Sequence, residues 1–112
     1  NIMEKIICAA IYYDDGMTRV HLPKNLDTGI CIGGYRHANC ITSFTALWYP
    51  NWKTDEHHDF RRKNFLKNYI QGFLTSYGRF VDRKEAMKIA LESEQVVYYE
   101  GIKDELYSED LY

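Results

Sequence analysis

No stretch of this 112-residue chain reaches the roughly 18 consecutive apolar residues that a membrane-spanning helix needs, so a membrane span is not expected. Charge of one sign is missing too. Fourteen basic and sixteen acidic residues leave a formal net charge of -2, and the surface as a whole gives nucleic acid little reason to bind. Cysteine is scarce and odd in number. Cys8, Cys31 and Cys40 lack a framework spacing, which argues against a disulfide-stapled secreted domain and for a reduced, cytosolic setting. The opening NIMEKIICAAIYY carries one lysine and passes straight into strand-forming residues, so it does not read as a signal peptide. Asn1 and Ile2, ahead of Met3, read as an expression remnant. Repeats and low-complexity segments are absent as well.

What is present is apolar and aromatic. Hydrophobic residues make up 46% of the chain, enough for a core and too many for disorder. Ten Tyr, five Phe and two Trp supply large side chains, the tyrosines and tryptophans with a polar tip that suits stacking sites and interfaces. The length fits one domain, residues 3–112.

Local patterns sketch an α+β domain, an antiparallel β-sheet with two or three packed helices. Ile6 to Tyr13 read as a strand, Asp14-Asp15-Gly16 as its turn, and Thr18 to Leu22 as the returning strand, stopped by Pro23. TGICIGG, residues 28–34, reads as a third strand whose glycines release the chain into a close turn. Cys40, Ile41, Phe44, Leu47 and Trp48 form one apolar stripe, which predicts a helix from His37 to Tyr49 ahead of Pro50. Residues 51–69 are polar and fit either a surface helix or a long loop. QGFLTS reads as a strand and GRF as a turn or second short strand. Asp82 with Glu85 makes a capping box, and Val81 with Ala86 a hydrophobic staple, for a helix running to about Glu94. Val96 to Tyr99 fit an edge strand, and residues 104–112 an acidic tail.

Two stretches gather groups that hold anions. In GGYRHANC, Tyr35, Arg36 and His37 follow two glycines at the mouth of a helix. Free N–H groups and the helix dipole favour an anion there, Arg36 can grip a phosphate, and Tyr35 can stack on a base. The same residues also suit a plain strand-to-helix turn with a solvated Arg36 and His37. In GFLTSYGRFVDRKEA, Thr75, Ser76, Tyr77, Arg79 and Arg83 collect before the capped helix, with Phe73 and Phe80 beside them as stacking surface. Alternatively the phenylalanines are core and Arg83 pairs with Glu85 or Glu94.

Other chemistry is poorly supplied. His37 with Cys40, and Cys8, Cys31, His21, His57 and His58, offer metal ligands but no Cys-x-x-Cys pair, so no metal site is expected. Cys40 faces the apolar stripe, a poor place for a nucleophile. Asp14-Asp15 and Glu109-Asp110 read as solvated carboxylates, which leaves no acid/base pair and no expectation of an enzyme or a cofactor. FRRKNFLK, residues 60–67, interleaves cations with phenylalanine, but DEHHD before it neutralises the field, so a nucleic-acid partner is not expected.

Taken together, EKIICAAIYY, GYRHANC, QGFLTSYGRFVDRKEAMKIA and LYSEDLY resemble a family of small phage and prophage proteins, the anti-Thoeris sponges, with residues 50–69 as a variable insertion. That resemblance implies a non-catalytic protein in the cytoplasm of the infected bacterium. It would hold cyclic ADP-ribose isomers, or cyclic oligonucleotides, in pockets between protomers of a homo-oligomer. A cyclic ADP-ribose isomer carries a pyrophosphate, two riboses and an adenine. Tyr35, Arg36, His37, Phe73, Thr75, Ser76, Tyr77, Arg79 and Arg83 contain the matching side-chain types. The competing expectation is a phage interaction module that blocks a host protein or nucleic acid through its aromatic surface and acidic tail.

Overall fold

The computed structural model describes residues 3–48, 67–97 and 104–112. Its first strand, β1 (Ile6–Thr18), is longer than its apolar half suggested, because it runs through Asp14-Asp15-Gly16. Gly16 adopts φ +78°. The Asp14 carboxylate accepts from the Gly16 N–H and from the Thr28 hydroxyl, at 2.9 and 2.8 Å. Asp15 receives two hydrogen bonds from the Arg19 guanidinium, at 2.8 and 2.7 Å. With those carboxylates tied to the adjoining chain, the segment forms an irregularity where the register slips between Tyr13 and Thr18. It is not a hairpin turn, the returning strand at Thr18 to Leu22 does not form, and the two carboxylates are engaged. The reversal falls instead in residues 19–27, where His21 takes φ +65°.

β2 (Thr28–Gly34) then pairs antiparallel with β1, Ala9 opposite Gly34 and Tyr13 opposite Ile30. A helix, α1 (His37–Trp48), follows as the apolar stripe predicted. The chain returns as β3 (Ile70–Thr75) on the other side of β1, with Cys8 opposite Leu74 and Tyr12 opposite Ile70. A tight turn leads to β4 (Phe80–Asp82) and directly into α2 (Arg83–Glu92). Among the described residues the result is α+β: a four-stranded antiparallel sheet in the order β2-β1-β3-β4, with α1 and α2 packed on it.

The core lies between the sheet and the helices. Ile6, Ala9 and Ile11 of β1, Phe73 of β3 and Val81 of β4 meet Cys40 and Phe44 of α1 and Ala86, Met87, Ile89 and Ala90 of α2. Phe73 is fully buried, a burial that contributes roughly 1.5–3 kcal/mol. Gly72 beside it is required by space. A Cβ there would lie 2.1 Å from the Val81 carbonyl oxygen and 2.7 Å from the Phe80 ring. Asp82 caps α2 by accepting the Glu85 N–H at 2.8 Å, as expected, and Val81 and Ala86 bury in one cluster. Glu85 departs from the expected box, since its carboxylate lies 3.7 Å from the Arg79 guanidinium.

The end of the chain differs most from expectation. Residues 104–112 are not a solvated tail: Leu106, Ser108 and Asp110 are buried, and Ser108–Asp110 form a 3-10 turn. The Leu106 N–H donates to the Arg83 carbonyl at 2.9 Å, and the Val97 N–H to that of Asp110 at 2.8 Å. Leu106 and Leu111, masked in the sequence by neighbouring charges, pack on the core and draw the segment in. Val96 and Val97 are not in a strand; Tyr98 and Tyr99 lie outside the described residues. So do the basic cluster but for Lys67, the His57-His58 pair, and most of the insertion. Among the described residues no helix is long and apolar enough to cross a membrane.

Candidate ligand-binding site

At the β2–α1 junction the strand ends on two glycines so that helix and sheet can close up. A Cβ on Gly34 would meet Cys40 Sγ at 3.2 Å and Asn39 Cβ at 3.4 Å. Space, not a left-handed backbone, is what those glycines supply. The first turn of α1 contains no acidic residue. Asn39 reaches back instead, its side-chain oxygen accepting the Arg36 N–H at 3.0 Å.

Tyr35 and Arg36 project from this junction and meet Tyr112. The Tyr35 and Tyr112 rings stack with centroids 4.6 Å apart and planes 18° from parallel. The Tyr112 hydroxyl donates to the Tyr35 carbonyl at 2.6 Å. The Arg36 guanidinium lies 4.7 Å from one ring centroid and 4.9 Å from the other, within cation–π range. Its Nη2 donates to the Tyr112 main-chain oxygen. Its Nη1 is buried from solvent and has no hydrogen-bond partner. Tyr35 itself remains 60% exposed. A cation and two stacked rings therefore share one site.

His37, the third residue expected here, faces inward. It is buried, with Nε2 2.8 Å from the Gly72 carbonyl and its ring edge-on to Phe73. A carbonyl can only accept, so Nε2 carries the proton. Burial pushes the His37 pKa below its ordinary value. His37 ties α1 to β3.

The stretch before α2 gathers its polar groups as expected, then spends them internally. Arg79 grips Glu4 with two hydrogen bonds, at 2.9 and 2.7 Å. The bond from Arg79 is the main reason the Glu4 carboxyl sits below its usual range. Thr75 is buried and donates to the same carboxylate at 2.6 Å. The Ser76 hydroxyl accepts the Lys5 N–H at 2.8 Å. Tyr77 is partly exposed, with Lys24 5.9 Å from its ring centroid. Arg83 bonds the Leu106 carbonyl at 2.7 Å, bonds the Gln71 side chain, and lies 4.1 Å from the Tyr107 ring centroid. Arg83 thus pairs with neither Glu85 nor Glu94 as its alternative role required. Phe73 is core and offers no stacking face.

Cysteine chemistry is equally closed. Cys40 is buried, its thiol pKa is pushed up to about 11 by desolvation, and Sγ lies 3.5 Å from the Ala9 carbonyl oxygen. Burial raises Cys31 to about 12. A raised thiol beside a lowered imidazole is the reverse of an activated pair. Among the described residues no group of three His, Cys, Asp or Glu side chains is placed to hold a metal ion.

The residue that local patterns missed is Tyr112. It completes the Tyr35–Arg36 cluster from 77 positions away in sequence, and no spacing rule links the two. Glu4, which neutralises Arg79 from a distance of 75 residues, was missed for the same reason. Apart from Glu4, the whole arrangement falls within one family match: the model for the phage T4 y16D protein covers residues 5–112. The chain belongs to that phage protein family. No curated protein and no solved structure matches it.

Proposed function

We propose that this phage T4 y16D family protein is a non-catalytic binding protein that captures a nucleotide signal of the cyclic ADP-ribose type and keeps it from its receptor. One observation carries the proposal. The Arg36 guanidinium lies within cation–π range of both rings of the Tyr35–Tyr112 stack, and Tyr35 is exposed. A nucleotide pairs phosphate oxygens with an aromatic base, and those are the groups that a guanidinium donor and a tyrosine face attract. Sequestration is favoured over turnover by burial, since the Cys40 thiol and the His37 imidazole are both closed off from the surface. The matching of phosphate to Arg79 and Arg83 has lost ground, since both are engaged within the protein. An interaction module built on a free acidic tail has lost ground as well, because that segment is packed.

The test is capture and release. Purified protein is mixed with a panel of cyclic ADP-ribose isomers and cyclic oligonucleotides, free ligand is measured, and the protein is then heat-denatured. Stoichiometric depletion of one ligand followed by its intact recovery is the expected result. Recovery of an altered compound would make the protein an enzyme, and no depletion across the panel would remove the nucleotide reading altogether.

A further inference from the structure

The two edges of the sheet are finished differently. β4 is only three residues long, and Asn25 closes its outer side. Asn25 Oδ1 accepts the Phe80 N–H at 2.9 Å and Nδ2 donates to the Phe80 carbonyl at 2.7 Å, the pair of bonds that a further strand would make. The Lys24 N–H adds a bond to the Gly78 carbonyl at 2.8 Å. β2 has no such closure beyond its start, where the Thr28 carbonyl accepts the Tyr12 hydroxyl and the Gly29 carbonyl accepts Arg19 Nη1. From Ile30 to Gly34, among the described residues, neither a strand nor a side chain pairs with the side turned away from β1. An exposed strand edge is a template for another strand, and folds that avoid such pairing place lysine, another charge or proline there. The β2 sequence TGICIGG has none of these.

The helix beside this edge is uncharged on its outer face as well. α1 packs on β1 and β2. Among its described residues the exposed ones are Ala38, Asn39, Thr42 and Ala46, whereas those of α2 are Lys84, Lys88, Leu91 and Glu92. A helix turned to water usually carries charge on that face, as α2 does and α1 does not. We propose that the β2 edge, together with the outer face of α1, is the docking surface for a second copy of this chain, paired antiparallel about a two-fold axis so that one sheet runs through both copies. The ends of β2 show why a copy fits. At the Thr28 end stands the exposed Asp14, whose carboxylate accepts the Thr28 hydroxyl at 2.8 Å, and just past Gly34 stands Arg36. Antiparallel pairing lays each Arg36 end beside the Asp14 end of the copy, while parallel pairing would set like charges together. A self-complementary patch is all that a two-fold dimer requires. The same axis sets the two α1 helices side by side, where small side chains let them approach.

Sedimentation velocity of the full chain over about a hundredfold range of concentration, with amide hydrogen exchange at the top of that range, tests the proposal. Wild type should sediment as a dimer. Gly33→Lys puts a charge on the open edge and should weaken dimerisation at least about tenfold. A Cβ there would lie 3.0 Å from Leu74 Cδ1 and 3.1 Å from Cys8 Sγ, so near-ultraviolet circular dichroism checks the fold. Thr42→Lys, on the exposed face of α1, leaves the sheet untouched and should weaken dimerisation at least about threefold, whereas Lys88→Ala on α2 should behave as wild type. Amides within residues 30–34 should exchange more slowly in the wild-type dimer than in the dissociated variants, with residues 70–75 equally protected in both. A wild type that stays monomeric throughout overturns the proposal, whatever else pairs with that edge. So does a dimer that Gly33→Lys and Thr42→Lys both leave unchanged, or one in which residues 30–34 gain no protection. No ligand enters either measurement, so this surface stands or falls apart from the nucleotide reading.

Discussion

Helices α1 and α2 begin under contrasting conditions. Before α2, Asp82 accepts a first-turn N–H, Glu85 supplies the acid the dipole favours, and Arg79 and Arg83 are bound to Glu4, Gln71 and the Leu106 carbonyl. Before α1 there is no acid in the first turn, and Arg36 meets two tyrosine rings and the Tyr112 main-chain oxygen. Both stretches read alike in sequence, as glycine, hydroxyl or aromatic, and arginine ahead of a helix. The difference shows that an arginine before a helix signals a ligand only when the fold has not already paired it. At α2 side chains have done so; at α1 two rings and a main-chain oxygen surround the guanidinium.

The sharpest way to break this contrast is at Arg83. Arg83→Ala should cost about 2–3 kcal/mol, because it strips the Leu106 carbonyl and Gln71 of a partly buried charged partner. The denaturant midpoint should fall, with amide exchange rising first in residues 104–112; an unmoved midpoint would mean the Arg83 tether holds nothing. Asp82→Ala should cost about 1 kcal/mol through the lost cap, measured in the same way. Arg36→Gln belongs at the other end of the scale, with a stability change under about 0.5 kcal/mol, since the substitution removes only a partly exposed contact. Ligand capture should behave in the opposite order. Arg36→Gln should weaken it by about tenfold, the worth of one charge-assisted contact, while a folded Arg79→Ala should leave it unchanged because Glu4 already occupies that guanidinium. Loss of capture in Arg79→Ala alone would reverse the assignment of the two helix starts.

A pH series sharpens the picture at His37. Its folded pKa is depressed by burial, so the unfolded chain takes up a proton first as pH falls below about 6.5. The unfolded state then binds more protons, and stability should decline from about pH 6.5 down to the lowered folded value, below which this contribution levels off. His37→Asn should flatten that slope. The Glu4 carboxyl, depressed by Arg79, adds a separate decline at lower pH, as the unfolded carboxyl protonates before the folded one. A wild-type midpoint constant between pH 7 and 5.5 would place His37 in a more solvated site than its contact with Gly72 implies.

Much of the fold was legible because it depends on near neighbours. The stripe of Cys40, Ile41 and Phe44 is set by helical period, and Asp82 caps because its side chain reaches an N–H three residues on. The strands over residues 28–34 and 70–75 follow from β-branched and aromatic residues bounded by breakers. Where these rules failed, a distant partner had intervened. Asp14-Asp15-Gly16 has turn chemistry, yet Arg19 and Thr28 hold its carboxylates while the strand continues. The acidic end reads as solvated, yet two leucines among the charges carry it onto the core.

The candidate site follows the same division. Composition and local order determined that Tyr35 and Arg36 stand at a helix mouth, because a strand ending in two glycines before an apolar stripe leaves them nowhere else. They could not determine what each arginine meets. That depends on Glu4 reaching Arg79, on the chain from Leu106 reaching Arg83, and on Tyr112 stacking against Tyr35 beside Arg36. These are contacts across 23 to 77 residues. A charge is neutralised by whatever the folded chain brings near it, and nearness of that kind exists only once the sheet and its helices have closed.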